Sequence, residues 1–293
     1  GRNSSVTSAR RIQESSKPTS PPPLRASLLL LLLAAPLAAQ NGPASRPKPG
    51  EVFPPLLADP RQIQFSGSFY RHRGRNAFDL GMGRAWGVKR WRSGEDQSLL
   101  WEADVEGMSY SRFRVESGRG DFETVDFVGA IPLTVRRGDV AFKGSAFVEN
   151  SHLGDDHIRR YGAVGFRYST VGLRALASLD AHRAVRVYGG LTRYIHSVPA
   201  PERWALQLGA EATSDDLGLS RVPVRAYAAT DFQPRERAGW NPDWRTVAGL
   251  KLGAPENGRV VRVQAGYHTG HSPFNKFYRE RDHYADLSIV LEL

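Results

Sequence analysis

Apolar residues recur at every second position from Gln62 almost to the end of the chain, in runs of about ten residues. In one of these runs Trp101, Ala103 and Val105 alternate with three acidic residues. Successive side chains of a β-strand point to opposite faces, so such a run forms a strand with one apolar and one polar face. No long stretch follows the helical period. The sequence therefore predicts an all-β fold.

The links between these runs indicate how the strands connect. Twelve strands result if residues 160–179 form one long strand, and thirteen if Thr170–Gly172 is a turn. With twelve, links at 90–97, 136–139, 181–184, 214–221 and 255–258 alternate with links that are longer on the whole, at 71–76, 111–121, 151–159, 197–202, 232–243 and 269–282. An even strand number with short turns on one rim is typical of an outer-membrane barrel. Both ends then lie at the periplasmic rim.

A soluble β-sandwich or lipocalin-like barrel would show the same alternation. Three observations favour the membrane: strands of about ten residues match a tilted span, no second domain or helix is available to cover the apolar faces, and aromatic residues fall near strand ends. Those aromatics are Tyr70, Trp86, Tyr110, Phe122, Trp204, Trp244, Tyr267 and Tyr284. We therefore predict an antiparallel up-and-down transmembrane β-barrel in the bacterial outer membrane.

The first sixty residues read as an export signal followed by a linker. Residues 26–39 contain six consecutive leucines, Leu28–Leu33, after a basic stretch and before the small residues Ala38 and Ala39. This order is typical of a signal peptide, whereas a membrane-spanning helix needs about 20 apolar residues. We predict a signal peptide over 1–39, a Pro-rich linker over 40–60 and the barrel domain over 61–293.

Composition excludes several functions. The chain has no cysteine, which excludes disulfides, zinc–thiolate sites and thiol nucleophiles. Of its net charge of +10, residues 1–50 contribute +6, from seven basic residues and one acidic residue. The remaining +4 is spread over the barrel, and no aromatic residues interleave with bases as in a nucleic-acid platform. We predict no nucleic-acid partner and no cofactor; the expected partner is outer-membrane lipid.

The polar strand faces carry both signs of charge. If the apolar faces meet lipid, the lumen receives the acids Glu102, Asp104, Glu106, Glu149, Glu211, Asp231, Asp286 and Glu292 and the bases Lys143, Arg167, Arg174, Arg186, Arg203, Arg225, Arg245, Lys251 and Arg262. Unpaired charges away from bulk water are costly, so we expect a lumen largely filled by salt bridges. Three acids in one row, at 102, 104 and 106, repel one another unless bases oppose them.

Polar residues gather in two outer loops. Ser151, His152 and Asp155 occur together, as do His271, Ser272 and Asn275, and either group supplies residue types that can activate a serine nucleophile. Asp155, Asp156 and His157 could instead bind a divalent cation. The simplest alternative is a hydrogen-bonded loop cluster without chemistry.

Four strings resemble, in the same order, hallmarks of a bacterial family of unknown function, domain of unknown function 1207. They are FPPLLADPR at 53–61, SHLGDD at 151–156, VYGG at 187–190 and GHSP at 270–273. The resemblance implies an outer-membrane barrel and no particular reaction. The family pattern has His and Ser where this chain has Val148 and Asn150. If that His-x-Ser pair is catalytic in relatives, as in outer-membrane phospholipases and lipid A deacylases, its loss argues against catalysis here.

The sequence thus predicts an outer-membrane barrel with a salt-bridged lumen and a His/Ser/Asp cluster at the outer rim, non-enzymatic by default. Three alternatives stay open at this point: a lipid-modifying serine hydrolase, a narrow channel for a small polar solute, and a soluble periplasmic β-protein.

Overall fold

The computed structural model describes residues 52–116, 118–253 and 260–292, and the strands in them form one closed antiparallel barrel. Each strand pairs with its neighbours in sequence, and β1 pairs with β12. The strands are β1 (Phe65–His72), β2 (Arg75–Ser93), β3 (Leu99–Glu116), β4 (Arg119–Arg137), β5 (Val140–Leu153), β6 (Tyr168–His182), β7 (Val185–Val198), β8 (Trp204–Thr213), β9 (Val224–Pro234), β10 (Pro242–Leu252), β11 (Val260–His271) and β12 (Arg281–Glu292). The predicted all-β, up-and-down barrel is confirmed, and the predicted signal peptide lies outside the described residues.

The segment 160–179 decides the strand number. It begins at the end of helix α1 (Asp155–Tyr161), and β6 starts only at Tyr168. Thr170 and Gly172 lie within that strand and pair with β5 and β7. The twelve-strand prediction is therefore confirmed, and the alternative with a turn at this point is wrong. No helix among the described residues is long and apolar enough to cross a membrane.

The two rims differ less than the link lengths predict. We call the rim where β1 begins and β12 ends the near rim, and the opposite one the far rim. Segment 111–121, predicted as a far-rim loop, is instead mostly strand, because β3 and β4 continue to a tight turn around Gly118. Longer far-rim links do occur at 154–167, 235–241 and 272–280, and the last two contain short 3₁₀ turns.

The outside of the barrel is apolar along the strands. On β12, Leu287 and Ile289 are 69% and 55% exposed, whereas Asp286 and Ser288 are 4% exposed. Close to the rim where β1 begins, Trp91 stacks on Trp101, with ring centroids 5.9 Å apart. Outward-facing aromatics thus occur near the strand ends, as a lipid interface favours.

Three of the predicted interfacial aromatics do not face outwards. Tyr70 and Tyr284 stack on each other inside the barrel, and Tyr110 stacks on Phe274. Position near a strand end was the basis of the prediction, but the pleat decides the face. Tyr70 alternates with the exposed Phe69 and therefore points inwards.

The lumen is filled largely by paired charges. Arg186 contacts Glu211 at 2.6 Å and Arg245 contacts Asp286 at 2.9 Å. Two of the predicted lumenal bases are misplaced. Arg203 precedes β8 and pairs with Glu236 at the far rim, with 70% of its side chain exposed, and Arg167 precedes β6. Alternation predicts which way a side chain faces only within a strand. Arg167 and Arg203 lie outside the strands, so the rule does not apply to them.

Residues 52–64 enter the lumen from the near rim and form a plug, the name used below for this segment. Phe53 and Leu56 pack against Leu176 and Tyr188 on the barrel wall. The plug has no regular strand pairing, as its prolines predict. The part of the predicted linker that the structure describes, residues 52–60, is thus packed inside the barrel.

Leu57 provides a test of this packing, since it is 6% exposed and clusters with Tyr227 and Val247. We expect Leu57→Ala to lower the free energy of unfolding by about 2–5 kcal/mol, the usual cost of emptying a packed leucine site. Urea unfolding in detergent, followed by tryptophan fluorescence, measures it. Leu219→Ala is the control, because Leu219 is 72% exposed. Equal stability of both variants would show that the plug is not packed.

Candidate functional site

Wall arginines bind the backbone of the plug. Arg186 donates from Nη1 to the carbonyl of Pro54 (2.8 Å) and from Nη2 to that of Pro55 (2.7 Å). Arg262 donates to the carbonyl of Leu57 at 3.3 Å, and the Leu57 N–H donates to Glu211 at 2.7 Å. An extended, proline-containing segment cannot satisfy its own carbonyls, so these charged side chains do so.

Asp59 anchors the middle of the plug. Its carboxylate accepts hydrogen bonds from the amides of Gln207 (3.1 Å) and Gln233 (3.2 Å). Both amides also donate to Asp231, which in turn accepts from the Tyr188 hydroxyl at 2.7 Å. Two carboxylates are therefore held together through neutral donors from β7, β8 and β9.

Arg61, at the inner end of the FPPLLADPR string, joins the plug to the far rim. Its Nη1 lies 2.5 Å from Asp126 Oδ2 and donates to the carbonyl of Pro273 at 2.9 Å. Its Nη2 lies 3.7 Å from Glu149. Asn275 completes this arrangement: its N–H donates to Asp126 (3.0 Å) and its side-chain amide to Glu149 (3.1 Å). We call these five residues the Arg61 junction.

The link after β11 reaches the junction because it turns sharply inwards. Gly270 has φ +142°, and a Cβ there would lie 2.5 Å from Asp243 Oδ1. The same carboxylate accepts hydrogen bonds from the backbone N–H (2.6 Å) and Nδ1 (2.8 Å) of His271. The GHSP string therefore makes a turn: its glycine permits the backbone, and its histidine fastens the turn to β10.

Beyond the turn, Phe274 closes the mouth of the barrel. It is fully buried and stacks on Tyr110. The guanidinium of Arg112 lies 4.3 Å from its ring centre, and Arg112 also pairs with Asp79 and Asp282, at 3.3 Å each. The lumen is thus occupied from the near rim by the plug and from the far rim by this link.

The first serine–histidine candidate fails on the strand geometry. Ser151 points into the barrel and is 2% exposed, whereas His152 is exposed on the outside and lies against Phe127. Neighbouring strand residues face opposite sides, so the two cannot form a nucleophile–base pair. Asp155 follows in α1 and is exposed. Gly154 makes the turn into α1, where a Cβ would clash with the Phe122 carbonyl.

The second candidate is also not arranged for catalysis. The Ser272 hydroxyl accepts from the Phe274 N–H at 3.4 Å, while His271 bonds to Asp243. Among the described residues, the histidine rings bond to carboxylates, to backbone groups or to Thr269, and none to a serine. Asn275 belongs to the Arg61 junction. The predicted catalytic group is not assembled: Asn275 bonds to Asp126 of β4 and Glu149 of β5, and the two outer loops meet where His157 packs against Phe277.

Asp155, Asp156 and His157 do not form the predicted cation site. No group of three or more carboxylates or histidines in the described part of the chain could hold a metal ion. Asp156 accepts from the Phe122 N–H at 3.0 Å and pairs with Arg159. His157 packs against Tyr161 and Phe277, and its burial lowers its pKa. Consecutive helical residues diverge by about 100°, so each finds a different partner.

The sequence reasoning missed the central pair of the junction. Asp126 lies between the apolar Val125 and Phe127 of β4, so alternation places it in the lumen, but it was not among the predicted lumenal acids. Arg61 ends a string noted only for its resemblance. The alternation rule could have found Asp126; nothing in the sequence pairs it with Arg61.

A family model described as "Protein of unknown function (DUF1207)" matches residues 35–291. Among solved structures, the barrel resembles Salmonella typhi outer membrane phospholipase (TM-score 0.50, 11% identity, covering 80% of this chain and 93% of that one). It also matches Escherichia coli outer membrane phospholipase A (TM-score 0.49, 11% identity, 80% and 93%). At such low identity the first likeness concerns the fold alone. No curated protein is significantly similar in sequence.

The Arg61 junction makes a sharp stability prediction. Arg61→Ala leaves Asp126, whose side chain is fully buried, without its cation, and we expect a loss of about 3–5 kcal/mol in the free energy of unfolding. Arg61→Ala/Asp126→Asn should recover part of this loss, because the uncompensated charge is gone. Urea unfolding of both single variants and the double variant gives the coupling energy.

The exposed pair Arg183–Asp215 is the matched control, with 74% of each side chain exposed. The same substitutions there should change stability little. Arg61 and Asp126 substitutions that simply add, with no coupling, would contradict the junction.

Proposed function

The chain belongs to this family of unknown function, and we propose that it is a bacterial outer-membrane barrel kept closed by its own N-terminal plug, with membrane lipid as its partner and no catalytic role. The observation that carries the proposal is the combination of an apolar outer surface with a lumen filled by the chain itself.

The outer surface supports residence in lipid. Large apolar side chains are exposed on many strands, among them Ile131 (62%) and Leu287 (69%). Soluble proteins rarely leave contiguous apolar surface of this extent uncovered. A closed barrel also satisfies its backbone hydrogen bonds internally, which is the requirement for spanning a bilayer with strands. The apolar stretch at 26–39 is consistent with export as a signal peptide.

In this proposal the near rim faces the periplasm. Both ends of the barrel lie there, and the plug enters the lumen from that side. The far rim, with α1 and the link 272–280, then faces outwards.

The plug supports a closed resting state. Arg186 and Arg262 of the wall bind its backbone, its own Arg61 pairs with Asp126 on β4, and Phe274 covers the far end of the lumen. An open solute channel would need the plug to leave these contacts. A serine hydrolase is not supported, because neither serine candidate has a histidine partner.

Membrane residence predicts how a lipid-facing charge acts. Leu287→Arg should lower the free energy of unfolding in phospholipid vesicles by about 2–4 kcal/mol, the cost of an arginine on the lipid face near the bilayer midplane. Leu217→Arg, in the link between β8 and β9, is the control. The wild-type barrel should migrate faster on a gel before heating than after. Full solubility without detergent would instead favour the soluble alternative.

Because the lumen is closed, we expect the wild-type barrel to conduct no ions across a bilayer. In planar bilayers the wild-type protein should give no stable single-channel current, whereas deletion of residues 52–63 combined with Phe274→Ala should give ion conductance, because the plug and Phe274 together close the lumen. Deletion of residues 216–220, in a link outside the lumen, should leave the barrel silent. Conductance by the wild type equal to that of the plug deletion with Phe274→Ala would refute the proposed closure.

A further inference from the structure

Three acidic residues lie on one face of β3, as the alternation predicts: Glu102, Asp104 and Glu106. All three point into the lumen and are at most 9% exposed. Two of them have cations. Glu102 accepts from Arg90 Nε at 3.0 Å, and Glu106 pairs with Lys143 at 2.6 Å. Bases thus oppose two members of the row, as the sequence argument required.

Asp104, the middle member, has no such cation among the described residues. It is 4% exposed, and its Oδ1 has no hydrogen-bond partner. The rest of its carboxyl contacts that of Glu102. A buried carboxylate oxygen without a donor is costly, and here the row holds three carboxylates against the two bases that pair with it. Among the described residues no base pairs with Asp104, so the row holds more carboxyl groups than bases.

Asp104 also lines a cavity. The space beside the plug has a volume of about 700 Å³ and extends from the near rim, where β1 begins and β12 ends, towards the middle of the barrel. Its other walls include the apolar side chains of Phe53, Phe147 and Leu176. A volume of this size is typical of small-molecule sites, and the lining combines apolar side chains with charged ones such as Glu106 and Lys143.

The other lumenal bases that line the cavity do not pair with Asp104. Arg61 belongs to the Arg61 junction, and Lys251 Nζ lies 5.4 Å from the ring centre of Tyr227. The guanidinium of Arg174 lies 5.5 Å from the ring centre of Phe147 and donates to Thr192 at 3.3 Å. Its charge acts on Glu149, on the side of the Arg61 junction. Asp104 is therefore left without a base in the described part of the chain, and its Oδ1 has no donor.

We propose that this cavity binds a small organic cation, with its ammonium or guanidinium group on Asp104 and its apolar body against Phe53 and Leu176. Such a group supplies the missing donors and the missing charge together. A metal ion fits less well, because the described residues offer no set of three ligands for one. The site opens at the near rim, so the ligand enters from that side.

The test uses benzylammonium as the probe and benzyl alcohol as its neutral counterpart, by isothermal titration calorimetry on the full chain in detergent, with a matched detergent blank. We expect benzylammonium to bind at least tenfold more tightly than benzyl alcohol. Asp104→Asn keeps the shape and removes the charge, and it should weaken benzylammonium binding at least tenfold. Asp215→Asn removes the same charge at an exposed position and should bind as the wild type does.

Ser145→Phe is a second variant, which narrows the cavity while leaving the acidic row intact. It should also weaken binding at least tenfold. Heat-modifiable gel mobility checks that each variant is folded. The proposal is overturned if wild-type protein does not bind benzylammonium, if the alcohol binds equally well, or if folded Asp104→Asn retains wild-type affinity. The last result is expected if Asp104 only shares a proton with Glu102. These binding measurements need no bilayer. The ligand proposal can therefore fail while the membrane proposal holds, and the membrane proposal can fail while the ligand proposal holds.

Discussion

The pairing of buried charges inside a narrow lumen is the interaction on which the rest of this structure depends. Each strand places polar side chains inside because its other face is apolar, and the resulting carboxylates and guanidiniums are too far from bulk water to stay unpaired. Wall-to-wall pairs such as Arg186–Glu211 satisfy part of this requirement. The plug satisfies another part, since its carbonyls accept from Arg186 and Arg262 and its Arg61 neutralises Asp126. The plug is therefore part of the charge balance of the barrel.

The four strings that carry the family resemblance acquire a common structural meaning. FPPLLADPR is the plug, and Tyr188 of VYGG is the wall against which it packs. SHLGDD turns β5 into α1, and GHSP turns the following link back into the mouth. FPPLLADPR contains Arg61 itself, and GHSP contains Pro273, whose carbonyl accepts from Arg61. SHLGDD begins on β5, the strand that carries Glu149. The strings thus mark the plug, the wall against which it packs and the turns at the far rim.

Much of the fold could be predicted from residue order because the alternation of apolar and polar residues is a local signal. It identified the strands, their number and most lumenal charges. The wrong predictions came from criteria that ignored this alternation. Tyr70 was assigned to the interface from its distance to a strand end, but the pleat turns it inwards. Ser151 and His152 were grouped because they are adjacent in sequence, yet adjacency in a strand separates them onto opposite faces.

By itself, the sequence determined that this chain forms β-strands with one apolar and one charged face, because that property follows from a period of two. Only the tertiary structure decided which charges meet, and that residues 52–64 lie among them. Arg61 and Asp126 are distant along the chain and belong to different elements; they are brought together when the barrel closes around the plug. Asp104 also depends on tertiary structure. Its Oδ1 is buried without a donor, and its side chain lines a cavity, only once β3 has neighbours on both sides.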